Sequence, residues 1–156
     1  MSRELFLIAR IAGQSVAIDA EQVESVVDIG EIVAVPRAHA HVRGLAALRS
    51  RVVTVIDASA ALGVPTEGEG SGRAVITRVD GHHYAMLVDA LDDIAPFECQ
   101  PVAASVPLRG AWAQAGRGLV ERDGEPVLVI DLAALIPGVM QDRLATGGQD
   151  RLIRAA

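Results

Sequence analysis

The chain has 156 residues and a mass of 16.3 kDa, the size of one domain or one fused pair of small subdomains. Hydrophobic residues make up 51% and charged residues 22%, enough for a real core, and with only Phe6, Tyr84, Phe97 and Trp112 as aromatics that core must be Val, Ile, Leu and Ala. A net charge of −6 and a pI of about 5.1 argue against nucleic-acid binding, and the lone Cys99 excludes an intrachain disulfide and fits a reducing compartment.

The opening MSRELFLIARIAG does not read as a secretory signal, because Arg10 breaks its apolar stretch and no cleavage region follows. No apolar run reaches the roughly 18 residues that a membrane helix needs, so the expectation is a cytoplasmic chain without direct membrane insertion. Short Val- and Ile-rich runs then follow one another: Leu5–Ile11, Ser15–Ile18, Val52–Ile56, Ala74–Val79, Tyr84–Val88 and Val127–Ile130. Turn residues separate them, notably Ala12-Gly13, Asp80-Gly81 and Asp123-Gly124. Asp and Gly tolerate the positive φ of a tight hairpin turn, so this punctuation predicts an all-β fold. Helix is confined to single turns after Asp19, Asp57 and Asp131, with a further short one over Ala38–Arg43.

The pattern repeats. Gly44-Leu45 leads through the turn Arg49-Ser50 to RVVTVIDASAALG, and Gly118-Leu119 leads through Asp123-Gly124 to EPVLVIDLAALIPG, with the same spacing from glycine to aspartate. RIAGQSVAI from Arg10 likewise matches RVDGHHYAM from Arg78, and that offset places Val23-Glu24-Ser25-Val26 over Leu91-Asp92-Asp93-Ile94. A duplicated unit of about five short strands cannot bury both faces as an open sheet, so each copy is expected to curl into a small barrel. The boundary falls near residues 64–72, VPTEGEGSG, with strand exchange across it allowed. The globular domain is expected to cover residues 1–138, and residues 139–156 read as a loosely packed tail.

Chemistry is thinly represented. Asp57 and Asp131 hold equivalent places, which suggests an acid pair, but each precedes good helix formers and is better read as an N-cap. His39, His41, His82 and His83 lack the third convergent ligand that a metal requires, and no phosphate loop, dinucleotide fingerprint or activated serine is present. The reading is a protein without catalytic residues, metal or cofactor. Basic residues cluster at Arg37, Arg43, Arg49 and Arg51, with Arg49 and Ser50 at a strand–turn–strand tip suited to a partner's carboxylates.

Residues 35–63, VPRAHAHVRGLAALRSRVVTVIDASAALG, resemble the CheW-like domain of bacterial chemotaxis. Pro36, Gly44, Leu48, Arg49, Val53, Ile56, Asp57, Leu62 and Gly63 fall on the family pattern. FLIARIAGQSVAIDAEQVESVV, VDALDDI and GLVERDGEPVLVIDLAALI extend the likeness to residues 4–137. The resemblance implies two five-stranded SH3-like barrels sharing a core. It implies a non-enzymatic adaptor for signal transduction, joining a CheA-type histidine kinase to the cytoplasmic tips of methyl-accepting chemoreceptors in membrane-associated arrays. Carried over by position, Arg49, Leu48, Gly44 and Arg43 would face the receptor, and Val23, Glu24 and Ser25 the kinase. Two departures stand out: Ser50 replaces the usual glycine of the tip, and Ser25 the usual glutamate, with Glu24 one position earlier. A one-residue shift on a strand moves the carboxylate to the other face, so partner choice is expected to differ. The alternative is a regulatory or small-ligand-sensing β-barrel of a divergent chemosensory pathway.

Overall fold

The computed structural model describes residues 3–64, 72–102 and 108–137; most of the 64–72 boundary and the tail 139–156 lie outside these residues. The first strands, β1 (Glu4–Ile11) and β2 (Gln14–Asp19), form a hairpin over Ala12-Gly13. After a 3₁₀ turn at Ala20–Gln22 come β3 (Ser25–Asp28), β4 (Val42–Leu48), β5 (Arg51–Asp57) and the single helical turn α1 (Ala58–Ala61). The second half repeats this order with β6 (Arg73–Val79), β7 (His82–Leu87), β8 (Ala90–Phe97), a short helix α2 (Gly110–Ala115), β9 (Gly116–Arg122), β10 (Glu125–Ile130) and a 3₁₀ turn at Leu132–Leu135.

Turn chemistry sets the hairpins. Ala12-Gly13, Asp80-Gly81 and Asp123-Gly124 carry positive φ at both central residues, the signature of type I′ turns. At the β4–β5 tip only Arg49 is left-handed, with φ 57°, because Ser50 resists the second positive φ. The tip therefore has the sign pattern of a type II′ turn, with an arginine where that turn favours glycine.

The ladders run β8-β1-β2-β10-β9 in one sheet and β3-β6-β7-β5-β4 in the other. Each half of the chain thus gives its opening hairpin to the other half's three strands. The exchanged hairpins join by parallel pairing, β2 to β10 and β5 to β7. Alternation then buries both faces of the shared strands: on β1, Phe6 and Ile8 enter the interior of the first sheet while Leu7, Ala9 and Ile11 enter the core between sheets. Ile56, Val75, Met86, Ile130, Leu132 and Leu135 complete that central core, and Val53, Val55, Ile76 and Ala85 fill the second sheet.

Two expectations need correction. The sheets are not closed barrels: among the described residues β3 and β8 form no ladder with β4 and β9, and each seam shows one isolated bridge, Val33↔Leu45 and Gln100↔Leu119. The helix over Ala38–Arg43 is also absent; Arg37 is left-handed at φ 62° and the His41 carbonyl accepts from the Asp57 N–H, so turns lead straight into β4.

The repeat glycines explain the bridges. A Cβ on Gly44, whose φ is 145°, would collide with the Val33 carbonyl, and one on Gly118 would lie 2.6 Å from Cys99 Sγ and 2.7 Å from the Gln100 carbonyl oxygen. Only glycine lets the closing segment hydrogen-bond to the next residue of the strand. Gly44→Ala is expected to lose on the order of 2–4 kcal/mol in urea denaturation, while Gly30→Ala, with open space around it, changes stability by less than about 0.5 kcal/mol.

Candidate functional site

The duplicated aspartates are absorbed by structure. On β4 the register skips between Val42 and Gly44, leaving Arg43 as a bulge whose guanidinium lies 3.3 Å from Asp57 Oδ2. The other carboxylate oxygen of Asp57, a residue only 6% exposed, accepts the Ala60 N–H at 3.1 Å. Arg117 is the corresponding bulge on β9, 2.9 Å from Asp131 Oδ2, and Asp131 Oδ1 accepts the Ala133 N–H at 3.0 Å. Gln22 adds a tie from the first half: its Nε2 donates to Asp131 Oδ1 at 2.7 Å and its Oε1 accepts the Leu132 N–H at 3.1 Å. Both oxygens of each carboxylate are engaged and the two residues end strands of different sheets, so no shared acid–base pair forms between them.

The histidines and the cysteine lead no further. His39 and His41 stack edge to face at 4.4 Å, and the His41 N–H donates to His39 Nδ1. Burial, helped by His39 and opposed by Asp57, pulls the His41 pKa below its ordinary value. Burial together with Glu4 and Asp19 pushes the Cys99 thiol up, which keeps it protonated and a poor nucleophile. Among the described residues no group of three or more His, Cys, Asp or Glu side chains is placed to hold a metal ion.

The charged surface is more informative. In the second sheet the inward-facing row ends in polar residues: His83 of β7 and Arg51 of β5, reached by Glu24 from the entry to β3. His83 Nε2 lies 2.6 Å from an Arg51 nitrogen and 3.1 Å from Glu24 Oε2, and Arg51 stands 3.9 Å from the same carboxylate. The first sheet repeats the motif with Asp92, 3.6 Å from Arg10 and 3.8 Å from Arg122. Glu24 and Asp92 are thus equivalent, each an acid reaching across the mouth of its sheet.

The residues singled out from the sequence lie apart, Leu48 and Arg49 at the tip end of the β4–β5 ladder beside Arg51, and Arg43 and Gly44 at its other end near Asp57. Arg49 is exposed at the β4–β5 tip, and Leu48 is half-buried against the core of the second sheet. Gly44 is buried at the seam, and Arg43 is turned toward Asp57. Val23 packs half-buried on the central core, while Ser25 opens the edge strand β3 opposite Ile76. Beside the tip runs an exposed apolar stripe that the sequence reading missed: Val33 at 60% exposure, bridged to Leu45 at 37%, with Val52 at 64% on the adjacent strand. Arg51 is joined to the site by Glu24. His83, Arg117 and Gln22 were also missed; the equivalence of Arg117 with Arg43 in the repeat was the available signal, and nothing local marked Gln22 or His83.

Two outcomes check this assignment. Asp131→Ala removes an N-cap and the partner of Arg117, and is expected to lower stability by about 1–3 kcal/mol in urea denaturation. At pH 7, Cys99 is expected to react with a thiol reagent more slowly than free cysteine, read from the rate of disulfide exchange.

Comparison with known proteins agrees with this geometry. The family model described as the CheW-like domain matches residues 5–139. A protein named chemotaxis protein CheW from Thermotoga maritima is 25% identical over 124 residues, covering 79% of this chain and 81% of that one. The crystal structure of the scaffolding protein TtCheW from Thermoanaerobacter tengcongensis superposes with a TM-score of 0.73 at 22% identity, covering 86% of this chain and 92% of the other. With the repeated hairpins, the seam glycines and the paired aspartates all inside the matched span, the chain belongs to the CheW-like domain family.

Proposed function

We propose that this chain is a non-enzymatic adaptor of bacterial chemotaxis that couples a CheA-type histidine kinase to the cytoplasmic tips of methyl-accepting chemoreceptors. The observation that carries the reading, in a chain of this family, is the apolar stripe Val33, Leu45 and Val52 lying exposed beside the basic tip of Arg49. Apolar area rimmed by a guanidinium suits a protein partner better than water, and Arg offers several donors to carboxylates and carbonyls. Arg49 with Leu48 faces the receptor in this proposal, and the Val23-Glu24-Ser25 entry to β3 faces the kinase. Gly44 acts indirectly by shaping the seam beneath the tip, and Arg43 by holding Asp57.

The mechanism is simultaneous docking. Two sheets fused by exchanged hairpins form a stiff spacer that holds kinase and receptor at a set distance. Modest contacts suffice, because an array multiplies them through effective concentration. The adaptor works in the cytoplasm and reaches the membrane through its partners; no helix among the described residues is long and apolar enough to cross a bilayer.

A second reading, a small-ligand-sensing domain, is favoured by one feature: a groove of about 460 Å³ lined by Leu108, Trp112, Leu119 and Leu128 between α2 and the β9–β10 hairpin. A volume of that order accommodates a small molecule. A saturable thermal shift with a metabolite, indifferent to kinase fragments, would favour that reading.

Arg49→Glu is expected to weaken receptor-dependent kinase activation in a reconstituted array by tenfold or more, about 1.4 kcal/mol, with an unchanged melting temperature. Unaltered coupling in that variant would overturn the assignment of the tip.

A further inference from the structure

We infer that the mouth of the second sheet is a proton-operated latch, in which protonation of His83 transfers its hydrogen bond from Arg51 to Glu24 and releases the Arg51 guanidinium toward the β4–β5 tip. The inference goes beyond the adaptor reading and stands on the geometry of the isolated chain.

The geometry poses a conflict that one ring nitrogen resolves only by changing its protonation state. Nε2 of His83 is 2.6 Å from Arg51 NH1, which can only donate, and 3.1 Å and 3.3 Å from the two oxygens of Glu24, which accept when ionised. With Nε2 unprotonated and the ring proton on Nδ1, the lone pair accepts from Arg51, and the short contact fits only this form. The Nε2 lone pair and the carboxylate then face each other without a hydrogen between them, and Glu24 keeps only the 3.9 Å ion pair with Arg51. When a solvent proton binds Nε2, the nitrogen becomes a donor and turns its hydrogen to Glu24. Arg51 loses its acceptor at the same moment and confronts a like charge at hydrogen-bond distance.

The surroundings determine which group moves. The His83 side chain is 13% exposed and its ring is held on the sheet, whereas the Arg51 side chain is 56% exposed and has open solvent to enter. Glu24 is anchored through its backbone, its N–H donating to the Ile76 carbonyl at 2.7 Å. The other charged groups facing the ring are few: Arg78 stands directly opposite His83 on β6, with Asp80 at the β6–β7 turn. Arg78 can only donate, so among these groups it offers the ring no acceptor that competes with Glu24, and His82 is the neighbouring residue on β7, with its side chain on the other face of the sheet.

The first sheet supplies an internal control. There Ser15 holds the position equivalent to His83, so Asp92 is paired with Arg10 and Arg122 with no imidazole between them. One mouth is permanently latched and the other opens on acidification. Arg51 lies two residues beyond Arg49 on the same hairpin, so opening adds a second free guanidinium to the tip.

The test uses the full chain alone, labelled with ¹⁵N, followed by NMR from about pH 8 to about pH 5. At the upper end the His83 ring is expected to carry its proton on Nδ1, with the Arg51 guanidinium protected from solvent exchange. As the ring gains its second proton, Arg51 is expected to lose that protection while Arg10 and Arg122 stay unchanged. In His83→Gln, checked for folding by its backbone spectrum, Arg51 is expected to show no transition. An Nε2–H ring at the upper end, an Arg51 signal indifferent to His83 protonation, or the same transition in His83→Gln would each overturn the latch. None of these results depends on a kinase or receptor, so the latch and the adaptor reading fail separately.

Discussion

The structure depends on an exchange. Each sheet contains three consecutive strands from one half of the chain and a hairpin from the other, and the parallel ladders β2–β10 and β5–β7 are where the halves meet. Because those strands are buried on both faces, the central core and the two sheet interiors share residues one position apart along the same backbone. Displacing one sheet relative to the other would shear the central core between them. For a protein read as a spacer between two partners, this explains how so small a body, with so few aromatics, holds a fixed shape.

Duplication set the frame and divergence wrote the surface. The bulge arginine and capping aspartate occur in both copies, as do the seam glycine and the acid across each mouth. The tips have diverged in charge: Arg49 and Arg51 in one copy stand where Asp123 and Glu125 stand in the other. Interior positions keep their residue types because packing and hydrogen bonding restrict them. The tips are free to change, and that is where a choice of partner can be encoded.

Much of this was legible in the chain itself. Dipeptides that tolerate positive φ marked three hairpins, and the twice-repeated spacing from glycine to aspartate predicted a doubled all-β body. Local signals failed where long-range contacts decide. The helix α2 has no side-chain cap, since Arg109 at its N-cap makes no such hydrogen bond, and its sequence GAWAQA is too short to show periodicity. The expected helix after Pro36 gave way to a turn because the His41 carbonyl is required by Asp57. Closure of the barrels was over-read from strand number alone. At the candidate site Arg49 was visible as a turn residue, but the apolar stripe depends on which face of β4 and β5 lies outside the core, which only the exchanged topology decides. Glu24 was noted for its departure from the family pattern; its union with His83 and Arg51 joins residues far apart in sequence.

The hairpin exchange also bears on how the chain is made. The β1–β2 hairpin leaves the ribosome well before its ladder partners β8 and β10. Phe6, Ile8, Val16 and Ile18 therefore wait, apolar and uncovered, until β8 and β10 are made, and the long sequence separation of their contacts favours slow folding. The ladders β1–β8 and β2–β10 that join the halves within one chain can equally form between two copies, which is the general route to domain swapping.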